Sequence, residues 1–507
     1  MREFRRVLIA NRGEIALRVI RALRALAIET VAIYSDADAS TLPVLEADRA
    51  YRLPGVYPSE TYLDAAKIVE VARRSDCDAI HPGYGFLSEN GDFARLCREH
   101  SVKFIGPSEQ ALTTCGNKLA CKRIAESNGI PVVPYSKEPL EDRREARRFA
   151  QEIGFPVLVK SAYGGGGRGI REARSGEDVE EAFETSRREA QSAFGRSAVY
   201  IEKRLVRPRH IEVQVLASED SQDVVHLGER ECSIQRRYQK LVEVSPSPVV
   251  DEVTRDAVAR YAVTLAKAVK YSNAGTVEFL RDSETGAFFF IEVNARLQVE
   301  HPVTELVTGI DLVASQIHIA REGTVPVRQR DVQPRGTAIE CRINCEDPTN
   351  DFLPAAGTID YFRVPSGPGV RVDTALYEGV AISPYYDSLV AKLIAWGVSF
   401  DEARRRALVA LGEFKLVGVP STVAFHRQVL ASPAFARGEL STAFLEDHAI
   451  LQHLAEELPT AISDQRAVAA FLLSRNPFRG GPGRLPATGP DAPGAPAPST
   501  GRFVDGF

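Results

Sequence analysis

Apolar and polar positions follow two periods over the first 115 residues. The runs Val7-Leu8-Ile9-Ala10, Thr30-Val31-Ala32-Ile33-Tyr34, Ala79-Ile80 and Val102-Lys103-Phe104-Ile105 have the length of buried strands. Ile15, Val19, Leu23 and Leu26 recur at helical spacing, and further helices are predicted near 62–74 and 92–99. Strands alternating with helices predict a parallel sheet with helices on its faces. A helix and connector fill 116–135, where Pro131 and Pro134 end the helix. Residues 136–204 read as a small module: a helix over 141–153, a strand over 156–160, a glycine run, a helix over about 177–194 and a strand over 199–202. Strands then dominate, at 211–216, 224–227, 239–244, 275–281 and 288–294, with one helix over about 252–270. Residues 335–445 are mixed α and β. The fold class is therefore α/β and α+β.

Composition narrows the class. Apolar residues are 44% and charged residues 26%, a globular balance that excludes disorder for the whole chain. Lys+Arg (63) nearly matches Asp+Glu (68), without the basic excess of a nucleic-acid binder. No apolar run reaches the ~18 residues of a membrane span, and the first apolar stretch is too short for a secretion signal. A cytoplasmic location is expected, with no membrane and no nucleic acid among the partners. The seven cysteines, an odd number with no CxxC, read as reduced buried thiols. Seven Pro and seven Gly within 476–507 predict a disordered tail. Only 12 of the 63 basic residues are lysines. Lys118, Lys160, Lys203 and Lys240 therefore draw interest, since a planar guanidinium does not replace a compact ammonium at every phosphate site.

Four groups of residues carry candidate chemistry. The run Gly164-Gly165-Gly166-Gly167-Arg168-Gly169 has no GK[ST] after it, so it is not a Walker A loop. An extended stretch follows it, so it joins two strands as a flap over phosphates does; the alternative is a hairpin loop without a ligand. In the second group, a hairpin centred on Thr285 places Glu278 opposite Glu292, with Asn294 on the same face. Two facing carboxylates beside an amide oxygen suit Mg²⁺, and a solvated sheet face is the alternative. In the third, Arg296, Gln298 and Glu300 alternate with apolar residues. The arginine suits a small oxyanion and the Glu its proton. His301 reads as a structural residue fixed by Pro302. The fourth group, Glu340, Arg342 and Asn344, shares one strand face, as a surface strand without chemistry would too.

Together these segments resemble the biotin carboxylase component of biotin-dependent carboxylases, within the ATP-grasp fold. The resemblance also covers Ile9 to Ala16, His81 to Asn90, Pro208 to Glu212 and Gln298 to Glu305, in family order over about 4–446. It implies a Rossmann-like N-terminal domain (1–115), a connector (116–135), an ATP-grasp lid (136–204), an ATP-grasp catalytic domain (205–334) and a mixed α/β C-terminal domain (335–446). A helical extension (447–475) and the tail (476–507) would follow. It implies ATP contacts from Lys118, Lys160, Gly165, Gly166, Gly167, Glu202, Lys203, Leu205, His210 and Tyr238. Mg²⁺ or Mn²⁺ would be held by Glu278, Glu292 and Asn294. Lys240, Arg296, Gln298 and Val299 would bind bicarbonate, Glu300 would be the base, and Arg342 with Tyr84 would face biotin. The catalytic set is then Glu300, Arg296, Lys240 and Arg342.

Two positions depart from the family pattern. Tyr238 stands where many relatives carry His; a tyrosine there can donate a hydrogen bond but carries no positive charge. Ala295 replaces Thr or Pro on the face away from the ligands. The only methionine is Met1, so the chain lacks the Ala-Met-Lys-Met turn that accepts biotin in this family. Biotin is expected on a separate biotin carboxyl carrier protein, alongside a carboxyltransferase subunit, in a homodimer or larger complex. The expected activity is that of the biotin carboxylase subunit of an acetyl-CoA/propionyl-CoA carboxylase. The near alternative is the corresponding subunit of pyruvate carboxylase, and the remote one a catalytically silent nucleotide-binding scaffold.

Overall fold

The computed structural model describes residues 3–163, 170–194 and 197–454. The first apolar run becomes β1 (Arg6–Ile9), with Val7, Leu8 and Ile9 all buried. A strand apolar on both faces needs cover on both, and β1 finds it at the centre of a parallel sheet. With β2 (Glu29–Tyr34), β3 (Arg49–Arg52), β4 (Ala79–His81) and β5 (Lys103–Phe104), the order is β3-β2-β1-β4-β5. The helices of this unit are α1 (Gly13–Ala25), α2 (Leu42–Glu46), α3 (Ala65–Arg74), α4 (Gly91–Glu99) and α5 (Glu109–Gly116). Their starts are encoded locally: Asp64 accepts from the Lys67 N–H at 3.0 Å and Asn90 from the Phe93 N–H at 2.8 Å.

Asn117 caps α6 (Lys118–Ser127) by accepting from the Ala120 N–H. A separate sheet of β6 (Val157–Ser161), β7 (Arg171–Ala173) and β8 (Val199–Lys203) follows, ordered β7-β6-β8. The helices α7 (Arg143–Ile153) and α8 (Gly176–Phe194) pack on it. The module has its own core, including Ala146, Ala150, Val159, Phe183 and Ile201. The glycine run with Gly165, Gly166 and Gly167 lies outside the described residues.

The third sheet is antiparallel and eight-stranded. It runs from β13 (Phe288–Asn294) through β12 (Asn273–Arg281), β9 (Arg209–Ala217), β10 (Val224–Arg236), β11 (Gln239–Ser245) and β14 (Thr337–Asn344). The strands Leu389–Gly397 and Val370–Thr374 complete it. Strand alternation sorts its faces. Ile211, Val213 and Val277 join the core under α9 (Glu252–Ala268). His210, Glu212, Gln214 and Glu278 face the other way, and they too are buried. The helix α10 (His301–Thr308) packs against β10, β11 and β14, and α11 (Leu312–Glu322) follows it.

The resemblance separates 205–334 from 335–446 as two units, yet one sheet serves both. β11 pairs with β14, with Val242 opposite Cys341 and Glu243 opposite Glu340. Beyond a short helix at Phe444–Asp447, the expected extension is described only to residue 454, and the expected tail lies outside the described residues. Among the described residues no helix is long and apolar enough to cross a membrane. All seven cysteines are buried and unbridged.

Because the small module owns its core, damage there should stay local. Phe183→Ala is expected to cost that core about 3–5 kcal/mol. Hydrogen exchange should show protection lost across 143–163 and 170–192 and kept in β1. Equal loss in β1 would contradict an independent core.

Candidate functional site

The polar face of the long sheet gathers charges that could not be buried singly. The Lys240 ammonium, on β11, lies 2.5 Å from Glu212 Oε2, 2.8 Å from Glu278 Oε1 and 2.7 Å from Glu300 Oε1. Glu300 stands at the N-cap of α10, and its side chain makes no capping bond. Its other oxygen accepts from Arg342 Nη2 at 2.8 Å. Burial alone would raise the Glu300 pKa, but Lys240, Arg342 and Arg230 outweigh it and hold this carboxyl well below its ordinary range. Glu278 is held down in the same way, by Lys240 and His210 against burial.

A buried guanidinium supports this cluster from below. Arg230 Nε lies 2.5 Å from Glu212 Oε1. Its Nη1 donates to Gln214 Oε1 at 2.7 Å and Thr304 Oγ1 at 3.0 Å, and its Nη2 to Thr276 Oγ1 at 3.0 Å. Its partners satisfy both ends of the group, as burial of an ion demands.

On the β12–β13 hairpin Glu278 stands opposite Glu292, and Thr276 opposite Asn294. The register slips immediately after Glu278, so Phe279 faces Phe290. Asn294 Nδ2 donates to Glu278 Oε1 at 2.7 Å, Glu278 Oε2 meets His210 Nε2 at 3.0 Å, and Glu292 Oε2 meets Lys118 Nζ at 2.7 Å. Two opposed carboxylates beside the Asn294 amide oxygen are a hard-oxygen donor set that fits Mg²⁺ or Mn²⁺.

The segment after β13 is held from the parallel-sheet unit. Glu89 accepts from the Ala295 N–H at 3.1 Å and from Arg296 Nε at 3.0 Å. Arg296 also donates to Gln298 Oε1 at 2.8 Å and Asn294 Oδ1 at 3.1 Å. Gln298 Nε2 reaches Glu278 Oε1 at 3.2 Å, and the Val299 carbonyl accepts from Lys392 Nζ at 3.1 Å. His301 is buried with Nδ1 2.8 Å from the Gln298 carbonyl oxygen. Burial, with Lys392, Arg18 and Arg371 nearby, holds it well below the usual histidine range. It is a structural residue.

The hinge carries a second charge group. Glu202 on β8 pairs with Lys160 of β6, and its Oε2 lies 3.1 Å from Lys122 Nζ. Burial opposes its ionisation, yet Lys122 and Lys160 bring its pKa down to about 2. The Lys203 ammonium donates to the Gly154 and Phe155 carbonyls, at 2.9 Å each, so it is engaged within the small module. Leu205 is half-buried nearby. Tyr238 is 46% exposed. With Arg237 it forms the two-residue β10–β11 turn, both at positive φ (49° and 64°). Tyr84 donates its hydroxyl to Glu14, whose Oε1 lies 3.2 Å from Lys392 Nζ.

The fold thus brings Lys240, Glu278, Asn294, Arg296, Gln298, Glu300 and Arg342 into one cluster, with His210, Glu292 and Lys118 at its edge. Lys160, Glu202, Lys203 and Leu205 lie along the hinge. Sequence reading gives no role to Glu212, Arg230, Glu89, Glu243, Lys122 or Lys392. Two of these leave a signal. Glu212 shares the two-residue period of His210 and Gln214 within an apolar strand, and Lys122 lies one helical turn beyond Lys118. A carboxylate free of its proton between two cations, beside an arginine and an amide, can bind a small oxyanion and remove a proton from it.

Three family models match in chain order. The biotin carboxylase N-terminal domain matches residues 3–112, the ATP-binding domain of the carbamoyl-phosphate synthase L chain 117–327, and the biotin carboxylase C-terminal domain 340–447. Biotin carboxylase 1 of Bacillus subtilis is 48% identical over 447 residues, covering 88% of this chain and 99% of that one. A pyruvate carboxylase subunit of Methanothermobacter thermautotrophicus is 46% identical over 445 residues, 88% of this chain and 90% of that one. Among solved structures, the biotin carboxylase domain dimer of Hydrogenobacter thermophilus 2-oxoglutarate carboxylase, in complex with MgADP, ADP and bicarbonate, has a TM-score of 0.87. It is 46% identical to this chain and covers 89% of it and 99% of its own length.

Removing the central ammonium strands three buried carboxylates. Lys240→Met is expected to cost about 3–5 kcal/mol at neutral pH. Glu278 and Glu300 have folded pKa values below their unfolded ones, so their contribution is complete above the unfolded value of about 4.3 and is lost as pH falls through the folded values. The stability gap between wild type and variant in urea unfolding should therefore be widest near neutrality and close under acid. A gap independent of pH would contradict the pairing.

Proposed function

The chain belongs to the biotin carboxylase family, and on that premise we propose that it is the biotin carboxylase subunit of a multisubunit acetyl-CoA/propionyl-CoA carboxylase. The enzyme is an ATP-dependent ligase that forms a C–N bond. The observation that carries the catalytic reading is the Glu300 carboxylate, ionised and fixed between Lys240 at 2.7 Å and Arg342 at 2.8 Å.

Bicarbonate would sit against Arg296, Gln298, Lys240 and the Val299 backbone, where the guanidinium and ammonium match its charge. Glu300 takes its proton, so that its oxygen attacks the γ-phosphorus of ATP and ADP departs. The product is carboxyphosphate; its bond between carboxyl carbon and phosphate oxygen breaks, the carbon bonds to N1′ of biotin on a separate carrier protein, and the departing inorganic phosphate takes up the N1′ proton. Arg342 neutralises the negative charge that develops on the ureido oxygen of biotin. Lys118, Lys160 and the His210 edge of the cluster would orient the phosphates. Glu278, Glu292 and Asn294 would hold Mg²⁺ or Mn²⁺, which when bound neutralises charge on the transferring phosphoryl group.

The segment Gly438-Glu439-Leu440-Ser441-Thr442 resembles multisubunit acyl-CoA carboxylases and supports an acyl-CoA acceptor. The pyruvate carboxylase component of M. thermautotrophicus, similar over nine-tenths of its length, supports pyruvate as the second reading. Homodimerisation is proposed on the precedent of the H. thermophilus domain dimer, and the further partner would be a carboxyltransferase.

Glu300→Gln is expected to leave ATP binding intact and to slow bicarbonate-dependent ADP release by about a hundredfold or more. Near-normal turnover in that variant would remove Glu300 from the role of base. Tyr238→His is expected to change the KM for ATP by less than about tenfold, since the tyrosine is half exposed at a turn. A larger change would reveal a specific contact. For the acceptor, the partner carboxyltransferase co-purified with this chain should consume acetyl-CoA or propionyl-CoA; consumption of pyruvate instead would select the second reading.

A further inference from the structure

Behind Arg342 lie two carboxyl groups that the reaction as described does not use. Glu243 on β11 stands directly opposite Glu340 on β14. Directly opposed residues of an antiparallel pair project from the same sheet face with Cβ atoms about 5 Å apart. Both side chains are buried. Glu243 Oε1 lies 2.5 Å from Arg342 Nε. Its Oε2, and both oxygens of Glu340, have no hydrogen-bond partner among the described residues.

The charges facing this pair come from every element packed on it. Arg342 lies two residues beyond Glu340 on β14, and Glu300 reaches in from the start of α10. Lys240 faces Glu243 from β11, and Lys392 faces Glu340 from the strand Leu389–Gly397. Each cation already has another carboxylate. Arg342 is shared with Glu300, Lys240 with Glu212, Glu278 and Glu300, and Lys392 with Glu14 at 3.2 Å. Two facing buried carboxyls, of which only Glu243 reaches a guanidinium and whose other cations are engaged elsewhere, do not both ionise. Burial raises the Glu340 pKa well above the usual range and brings Glu243 up to about 7.

We propose that Glu243 and Glu340 as a pair carry one proton, on Glu340, and serve as positioning residues, pinning the Arg342 guanidinium against Glu300 while the proton is present. With the proton on Glu340, Glu243 is the anion at Nε and Nη2 stays on Glu300. When alkaline pH removes it, two carboxylates pull on the same guanidinium from behind. Arg342 then withdraws toward β11 and away from the biotin side. The role assigned to Arg342 rests on the biotin carboxylase reading; the proton on Glu340 does not.

The test has two arms on the full chain. In the kinetic arm, free biotin is the substrate. The KM for biotin in the wild type is expected to rise on the alkaline side. Glu340→Gln should abolish that rise or move it by at least about one pH unit, with the KM for ATP unmoved across the same range. Glu243→Gln should raise the KM for biotin about tenfold at every pH. In the spectroscopic arm, infrared difference spectra at neutral pH should show the carbonyl stretch of a protonated carboxylic acid in the wild type and its loss in Glu340→Gln. If Glu340→Gln does not fold, the same band is followed in the wild type, where it should vanish on alkaline titration. A wild type without the band, or a Glu340→Gln variant with an unchanged biotin pH profile, would overturn the proposal. Absence of bicarbonate-dependent ATP hydrolysis in the wild type would count against the functional reading alone, and the infrared arm would still decide the proton on Glu340.

Discussion

An ammonium ion buried among three carboxylates is the constraint on which the rest of the site depends. Glu212, Glu278 and Glu300 come from β9, β12 and the start of α10, and each lies within 2.8 Å of Lys240 Nζ. Without that charge their mutual repulsion in a low-dielectric interior would oppose the packing of α10 on the sheet. With it, the helix start is drawn onto the sheet and Glu300 is left ionised beside Arg342. A lysine suits the position because three acceptors converge on one point from different directions, whereas a planar guanidinium serves acceptors lying in its own plane. Arg230 beneath it shows the complement: its partners lie around the guanidinium edge, and there an arginine stands.

The cations of the site are thus already engaged by internal anions. Arg296 is held by Glu89, Lys118 by Glu292, and Lys160 by Glu202. A substrate anion enters by exchanging with, or adding to, a carboxylate already in place. Such a pre-arranged field costs little reorganisation when charge develops during reaction.

Much of this was legible from local pattern. The distance of Glu278 and Glu292 from the centre of their turn gives their pairing, because a short hairpin fixes register. The slip just beyond Glu278 was not legible, since nothing in the alternation marks where the extra residue is absorbed. The run from Arg296 to Glu300 announced its chemistry by alternating charge with apolar residues. Glu243 did not, for its meaning comes from Glu340 and Arg342, almost a hundred residues away and adjacent only through strand pairing. Glu89 acts from another sheet altogether. Local period reports which face a side chain takes; it carries no information about which distant strand supplies the neighbour.

That limit bears on how the molecule can be divided. The ATP-binding family segment ends at 327 and the C-terminal one begins at 340, which invites a cut between them. The hydrogen-bonded ladder from β11 to β14 ties the two sides of that gap together. A chain severed there would bare two long, unprotected strand edges, each a template for pairing with another molecule. The C-terminal segment is therefore not an interchangeable module. Grafting it from a relative would require complementary strands on both sides of the seam, so the sequence of β11 and that of β14 are constrained to change together.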